Sequence, residues 1–174
     1  MVLLRKSIPQ NHNLQTAVVR GVSYEWKLVM DRIVFSLVSL GSILFVLVFG
    51  DSLFFGVWYY FAIPVVAFFL AIPFKPKQYF LSAISIVILL TYIPYWNYNF
   101  SAKQPDGLLG LGHMFSLPGL AAGIILAGAH LMSKVKTSGY VFIVSFLFSL
   151  CGFLANQIIV CSTVFYCGGL ISPW

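Results

Sequence analysis

Apolar residues occur along this chain in five long runs, and none of these runs contains Asp, Glu, Lys or Arg. The hydrocarbon core of a bilayer is about 30 Å thick, and about 20 helical residues cross it. The runs have this length, which exceeds that of most buried helices in soluble domains. The pattern therefore predicts five transmembrane helices, over residues 33–50, 53–74, 79–96, 111–132 and 140–160.

The first two predicted spans are separated only by Asp51 and Ser52. A tight hairpin between two full spans competes here with one long element that is kinked or re-enters the membrane. We predict the hairpin, because the two runs together are about twice as long as one membrane crossing. The predicted fold class is an all-α integral membrane protein, a compact bundle of about five transmembrane helices.

The composition points the same way. Hydrophobic residues make up 60% of the 174 residues and charged residues only 8%, whereas about a quarter of a soluble domain is charged. This deficit excludes an ordinary soluble enzyme. The net charge of +6 does not predict a nucleic-acid partner, because nucleic-acid-binding proteins cluster their cations on a solvated face. The lipid bilayer is the predicted surrounding.

The lysines and arginines indicate an orientation. In a five-span arrangement nine of the ten lie on the side of the amino terminus, and only Lys103 lies opposite. The nine are Arg5, Lys6, Arg20, Lys27, Arg32, Lys75, Lys77, Lys134 and Lys136. Because cytoplasmic loops are enriched in Lys and Arg, we predict a cytoplasmic amino terminus and an outside carboxyl terminus. We expect the bacterial inner membrane as the location.

Residues 1–32 form a basic tail ahead of the predicted bundle of residues 33–174. Leu14, Val18, Val22 and Trp26 recur at helical spacing, with Arg20 among them. A short amphipathic helix lying on the inner membrane surface is one interpretation. A poorly ordered tail is the other. The first run lacks the cleavage pattern of a secretory signal, so we expect it to stay as an anchor.

The fourth run carries a stripe of small residues. Gly112, Ser116, Gly119, Gly123, Ala127 and His130 recur at steps of three and four, which places them on one helical face. Helices in lipid associate by close backbone approach, and small residues permit it. Ser116, Gly119, Gly123 and Ala127 are therefore the predicted helix-packing or partner face. The stripe fits packing within this chain and packing against another protein alike.

Two cysteines follow the fifth run. Cys161 and Cys167 lie on its predicted outer side, where disulfides persist, and a disulfide between them is one interpretation. Two membrane-embedded thiols are the other, if the fifth helix runs long. Cys151 lies in the middle of the span, where a free cysteine behaves as a small hydrophobic residue.

No motif for an enzyme, a metal or a cofactor is recognisable. His113 and His130 are 17 residues apart on the fourth run, about 25 Å along a helix, so they cannot share one metal ion. We expect both to be polar residues facing the membrane interface. Asn156 and Gln157 predict hydrogen bonds between helices, with the lining of a polar cavity as the alternative.

These observations favour a protein that acts by contact. A chain without charged residues inside its spans lacks the usual carboxylate relay of pumps and coupled transporters. We therefore predict helix-mediated binding of another membrane-inserted or membrane-crossing protein, or self-association, as in immunity, exclusion or assembly factors. The alternative is a transport component, either an uncharged-solute facilitator or an accessory transporter subunit.

Overall fold

The computed structural model describes residues 12–101, 108–132 and 137–163, and within them it is helical with no β-strand. The helices are α1 (His12–Phe49), α2 (Val57–Ala71), α3 (Phe80–Ser101), α4 (Leu108–Met132) and α5 (Ser138–Thr163). A short 3₁₀ turn, Ile72–Phe74, extends α2. Five segments of this described part are long and apolar enough to cross a membrane, as predicted from the hydrophobic runs.

Helix α1 is longer than the predicted first span. It runs without interruption from His12 to Phe49, so the segment ahead of residue 33 and the span belong to one helix. No proline lies between these two residues, and the backbone has no reason to break where the side chains turn from polar to apolar. Arg5 and Lys6 lie outside the described residues, as do Lys103, Lys134 and Lys136.

Helix α3 also extends beyond its prediction. Asn97, Tyr98 and Asn99 follow the predicted third span, 79–96, and are helical too, because α3 continues to Ser101. Aromatic contacts with α1 hold this last part. The ring of Trp96 stacks on Phe45 with centroids 4.2 Å apart, and the ring of Phe100 meets Phe45 edge-on at 6.3 Å.

Two separate helices lie where the hairpin was predicted, and the connection between them is longer than expected. Residues 50–56 join α1 to α2, and Gly50 and Gly56 have φ of 94° and 79°, which favours glycine. The Asp51 carboxylate folds back over this loop and accepts hydrogen bonds from the backbone N–H groups of Leu53, at 2.9 Å, and Gly56. It also accepts one from the Tyr60 hydroxyl at 3.1 Å.

Helix α3 lies at the centre of the bundle. It contacts each of the other four helices, and 61% of its spanning segment is buried, against 17% for α1 and 28% for α2 and α5. The outward faces of the surrounding helices carry large exposed apolar side chains, among them Leu37, Leu44, Val48, Trp58, Phe69 and Ile158. Such an apolar exterior suits lipid and would be unfavourable in water.

The bundle has two polar ends. One of them, which we call the Lys75 end, contains residues 25–32 of α1 and residues 138–140 at the start of α5. Residues 72–80, which connect α2 to α3, lie there too. The Asp31 carboxylate of α1 is buried there and accepts hydrogen bonds from the N–H groups of Leu81, at 3.1 Å, and Ser82, at 2.9 Å. The Ser82 hydroxyl donates a third. Asp31 thus caps the amino terminus of a helix 50 residues away.

Two further contacts tie α4 and α5 to the same end. The Lys77 ammonium donates to the Leu131 carbonyl in the last turn of α4 at 2.6 Å. The Ser138 hydroxyl, at the first residue of α5, donates to the Gln78 side chain at 2.8 Å. The Lys77 ammonium also lies at the negative end of the α4 helix dipole. Side chains from the turn before α3 therefore fasten two other helix ends.

We predict that Asp31→Ala destabilises the protein, because it leaves the N–H groups at the start of α3 without their buried acceptor. The expected loss is about 1–3 kcal/mol of unfolding free energy. Thermal unfolding of the purified protein in detergent measures it. Glu25→Ala on the exposed part of α1 is the matched control and should leave the midpoint unchanged. Equal midpoints for both variants would contradict the capping role.

Candidate functional site

A buried polar cluster lies between four helices at the other end of the bundle, the Asp51 end. Its centre is His113 of α4, whose side chain is fully buried. The Nδ1 atom lies 2.8 Å from the Tyr59 hydroxyl of α2, and Nε2 lies 3.0 Å from Thr91 Oγ1 of α3. The rings of Tyr92, Tyr95 and Phe153 pack around the imidazole at centroid distances of 5.3, 4.9 and 5.4 Å. The prediction that His113 faces the membrane interface was wrong.

The hydrogen bonds assign the protons of His113. The Thr91 hydroxyl donates to the Ile88 carbonyl at 2.7 Å, so its oxygen accepts from Nε2–H of the imidazole. A neutral imidazole with its proton on Nε2 accepts at Nδ1 from the Tyr59 hydroxyl. The chain Tyr59–His113–Thr91 is therefore satisfied by a neutral imidazole. This arrangement links α2, α3 and α4 without burying a charge.

A second set of polar contacts joins α5 to the cluster. The Gln157 side-chain oxygen lies 2.5 Å from the Ser116 hydroxyl of α4 and accepts from the Tyr95 hydroxyl of α3 at 3.1 Å. The Asn156 amide donates to the Phe115 carbonyl of α4 at 2.6 Å. The prediction of hydrogen bonds between helices for Asn156 and Gln157 is confirmed.

The described residues of the cluster do not form a metal site. Within residues 12–101, 108–132 and 137–163 no group of three or more His, Cys, Asp or Glu side chains could hold a metal ion. The imidazole of His113 makes its two hydrogen bonds to hydroxyl groups, and the nearby carboxylate of Asp51 is engaged by its own loop. Two buried hydroxyls, those of Tyr92 and Ser149, have no hydrogen-bond partner in the described part of the chain. The arrangement holds helices together.

The predicted small-residue face lies between α4 and α5 of this chain. A Cβ atom on Gly119 would lie 2.2 Å from the Gly152 carbonyl oxygen, and one on Gly123 would lie 2.3 Å from that of Phe148. In return, a Cβ atom on Gly152 would lie 2.3 Å from the Gly119 carbonyl oxygen. The two backbones therefore touch, which only glycine allows at these three positions. Gly152 was not singled out in the sequence, although it lies among Ser145, Ser149 and Asn156 at steps of three and four.

The other members of the face lie in different surroundings. Ser116 and Ala127 are fully buried, so neither can touch another molecule. His130 lies at the Lys75 end of α4, exposed, with its Nε2 atom 3.0 Å from the Tyr140 hydroxyl. Only part of the stripe therefore approaches the outside of the bundle.

On its outward side the α4–α5 pair has an open groove of about 590 Å³. Its lining is apolar apart from Asn156 and consists of Gly119, Ala122, Gly123, Leu126, Leu147, Phe148, Cys151, Gly152, Ala155, Asn156 and Ile159. Ala122, Cys151 and Ala155 are exposed along it. The groove exists because the glycines that bring the two helices together leave no side chains above the contact. Cys151 has a free thiol here.

The predicted disulfide falls at the edge of the described chain. Cys161 lies in the last turn of α5, where its sulfur accepts a hydrogen bond from the Gln157 amide at 3.1 Å, and it is disulfide-bonded. Cys167 lies outside the described residues. Pairing of Cys161 with Cys167 stays a prediction.

Comparison with known proteins adds no family to this description, since no family model, no curated protein and no solved structure matches the chain.

We predict opposite effects for two Gly→Ala variants in helices. Gly123→Ala forces a methyl group into the Phe148 carbonyl and should lower the unfolding free energy by about 1–3 kcal/mol. Gly41→Ala, where the added Cβ meets nothing within 4 Å, should raise it by up to about 1 kcal/mol. Thermal unfolding in one detergent compares them. A Gly123→Ala protein as stable as Gly41→Ala would refute the backbone contact.

Proposed function

We propose that this protein works by helix-mediated binding of another membrane-inserted or membrane-crossing protein, as an immunity, exclusion or assembly factor does. The outward groove of α4 and α5 carries this proposal. Transmembrane helices associate where small residues let their backbones approach, and Ala122, Cys151 and Ala155 are small and exposed along the groove. A partner helix in the same lipid bilayer would find an apolar surface at this groove that its backbone can approach closely.

The polar groups inside the bundle support the binding proposal, because they already form hydrogen bonds with one another. The imidazole of His113, the Gln157 amide and the carboxylates of Asp31 and Asp51 all bond within the bundle. Of the described surface, the α4–α5 groove and the smaller α2–α4 crevice of about 180 Å³ are lined without a charged residue. Recognition on such surfaces rests on shape.

A second candidate is a transport component, an uncharged-solute facilitator or an accessory subunit. The observation in its favour is the polar cluster around His113, where the Tyr92 hydroxyl is buried without a partner among the described residues.

Purified protein in liposomes should show no solute flux above empty vesicles if the binding proposal holds. Saturable uptake by the protein alone would favour the transport reading.

We also propose the orientation and the location. The amino terminus and the Lys75 end face the cytoplasm, the carboxyl terminus lies outside, and the membrane is a bacterial inner membrane. The support is the nine cations on one side of the five-span arrangement.

The orientation predicts the outcome of reporter fusions. A fusion after Lys136 should report the cytoplasm, and a fusion at the carboxyl terminus should report the outside. Paired reporters, one active in each compartment, measure both positions. A cytoplasmic carboxyl terminus would contradict the proposed arrangement.

The groove predicts where a partner crosslinks. A photo-crosslinking residue at Ala122 or Ala155 should trap one defined protein in cells, identified by mass spectrometry. The same residue at Leu37 or Leu44, exposed on α1, should not. Ala155→Trp should fill the groove and reduce the yield of a crosslink formed from Ala122. A second copy of this chain as the trapped protein would mean self-association, and equal nonspecific labelling at all four positions would overturn the proposal.

A further inference from the structure

A second groove, chemically unlike the first, runs between α1 and α2. Its volume is about 500 Å³. It is lined by Arg32, Phe35, Ser36, Ser39, Leu40 and Ile43 of α1 and by Phe61, Pro64, Val65, Phe68 and Phe69 of α2. Within α1 these residues lie at positions i, i+3, i+4, i+7, i+8 and i+11, so one face of the helix forms one wall. The rings of Phe35 and Phe68 meet across the groove with centroids 5.9 Å apart.

The length of this groove corresponds to one leaflet. Arg32 and Ile43 are 11 residues apart on α1, which is about 16 Å along the helix axis. Half of a hydrocarbon core of about 30 Å is about 15 Å. On α2 the lining runs from Phe61 to Phe69, in the middle of the apolar segment Val57–Phe74. The groove is therefore about as long as the part of an acyl chain that lies in one leaflet, and Arg32 ends it on the side of the Lys75 end.

The charge of the groove lies at one end only. Arg32 is the one charged residue in its lining, and it is exposed. The neighbouring Asp31 does not offset it locally, because its carboxylate is turned into the bundle and bonded to Leu81 and Ser82. Lys75 is also exposed at this end. A groove with a cationic mouth and an apolar body complements an anionic head group with an acyl chain.

We propose that the α1–α2 groove is a binding site for one anionic phospholipid. The phosphate lies against Arg32, and an acyl chain lies along Leu40 and Ile43 between the phenylalanine rings of the two helices. Basic pockets between transmembrane helices bind anionic head groups by this combination. The site is independent of the proposed protein-binding groove, which lies on α4 and α5.

The lining favours a lipid chain over a partner helix. Four phenylalanines, Phe35, Phe61, Phe68 and Phe69, line this groove, whereas a helix needs small residues to approach closely. A flexible hydrocarbon chain fits between rings. The two grooves therefore differ in occupant because they differ in side-chain size.

Native mass spectrometry of the purified full chain tests the proposal. The delipidated protein is titrated with phosphatidylglycerol and with phosphatidylcholine of identical chains. We expect one phosphatidylglycerol to bind with higher affinity than phosphatidylcholine, and Arg32→Gln to weaken its binding by about fivefold, the effect of losing one cationic contact of about 1 kcal/mol. Arg32→Lys should keep most of the preference. Lys27→Gln, an exposed cation of α1 outside the lining, is the matched control and should bind as the unchanged chain does.

A second variant tests the body of the groove. Ser36→Phe fills it from the α1 side and should weaken the binding of both lipids, while thermal unfolding without lipid confirms that the variant is folded. If it does not fold, the Arg32 and Lys27 variants decide. Equal affinities for the two lipids, equal losses in Arg32→Gln and Lys27→Gln, or a protein trapped at this groove would overturn the proposal.

Discussion

A polar group inside a bilayer must find its partner within the protein, because the hydrocarbon region offers no water to replace it. This constraint accounts for the polar side chains of the bundle. His113 joins α4 to α2 and α3, and Gln157 joins α5 to α3 and α4. Each of these contacts both removes an unsatisfied group and connects two helices. The buried polar groups therefore determine which helices are neighbours and how they are turned.

The α4–α5 pair shows how this constraint combines with packing. Backbone contact at Gly119, Gly123 and Gly152 allows the two helices to lie closer than side chains would permit. Because a Cβ atom at any of these three positions would clash, the glycines allow this contact in one register only. The Asn156 and Gln157 amides support the same register, because their partners on α4 are single atoms at defined positions. Close approach and polar pairing thus agree on one arrangement of the pair.

Features that depend on local sequence were predictable, and features that depend on distant partners were not. The five spans follow from hydropathy, and the alignment of Gly119 with Gly123 follows from spacing on one helix. The partners of His113 lie 54 and 22 residues away, and those of Asp31 lie 50 and 51 away, so no spacing rule connects them. Helix ends were missed for another reason. Hydropathy marks where a chain meets lipid, whereas α1 and α3 continue beyond their apolar segments into polar sequence.

The buried polar side chains form hydrogen bonds within the bundle. Recognition of other molecules at its surface therefore depends on the shape of that surface and on the few charges at its ends. Small side chains leave an open groove on α4 and α5, while phenylalanines narrow the groove between α1 and α2 and Arg32 stands at its mouth. In lipid, burying apolar surface does not by itself give either groove affinity for a ligand, because the groove and the ligand are already in contact with hydrocarbon before they meet. The α4–α5 groove differs in how closely the backbone of another helix can approach it. The α1–α2 groove differs in the contact that Arg32 offers to a phosphate. The same helices that satisfy their polar groups inward can therefore present two different kinds of site outward.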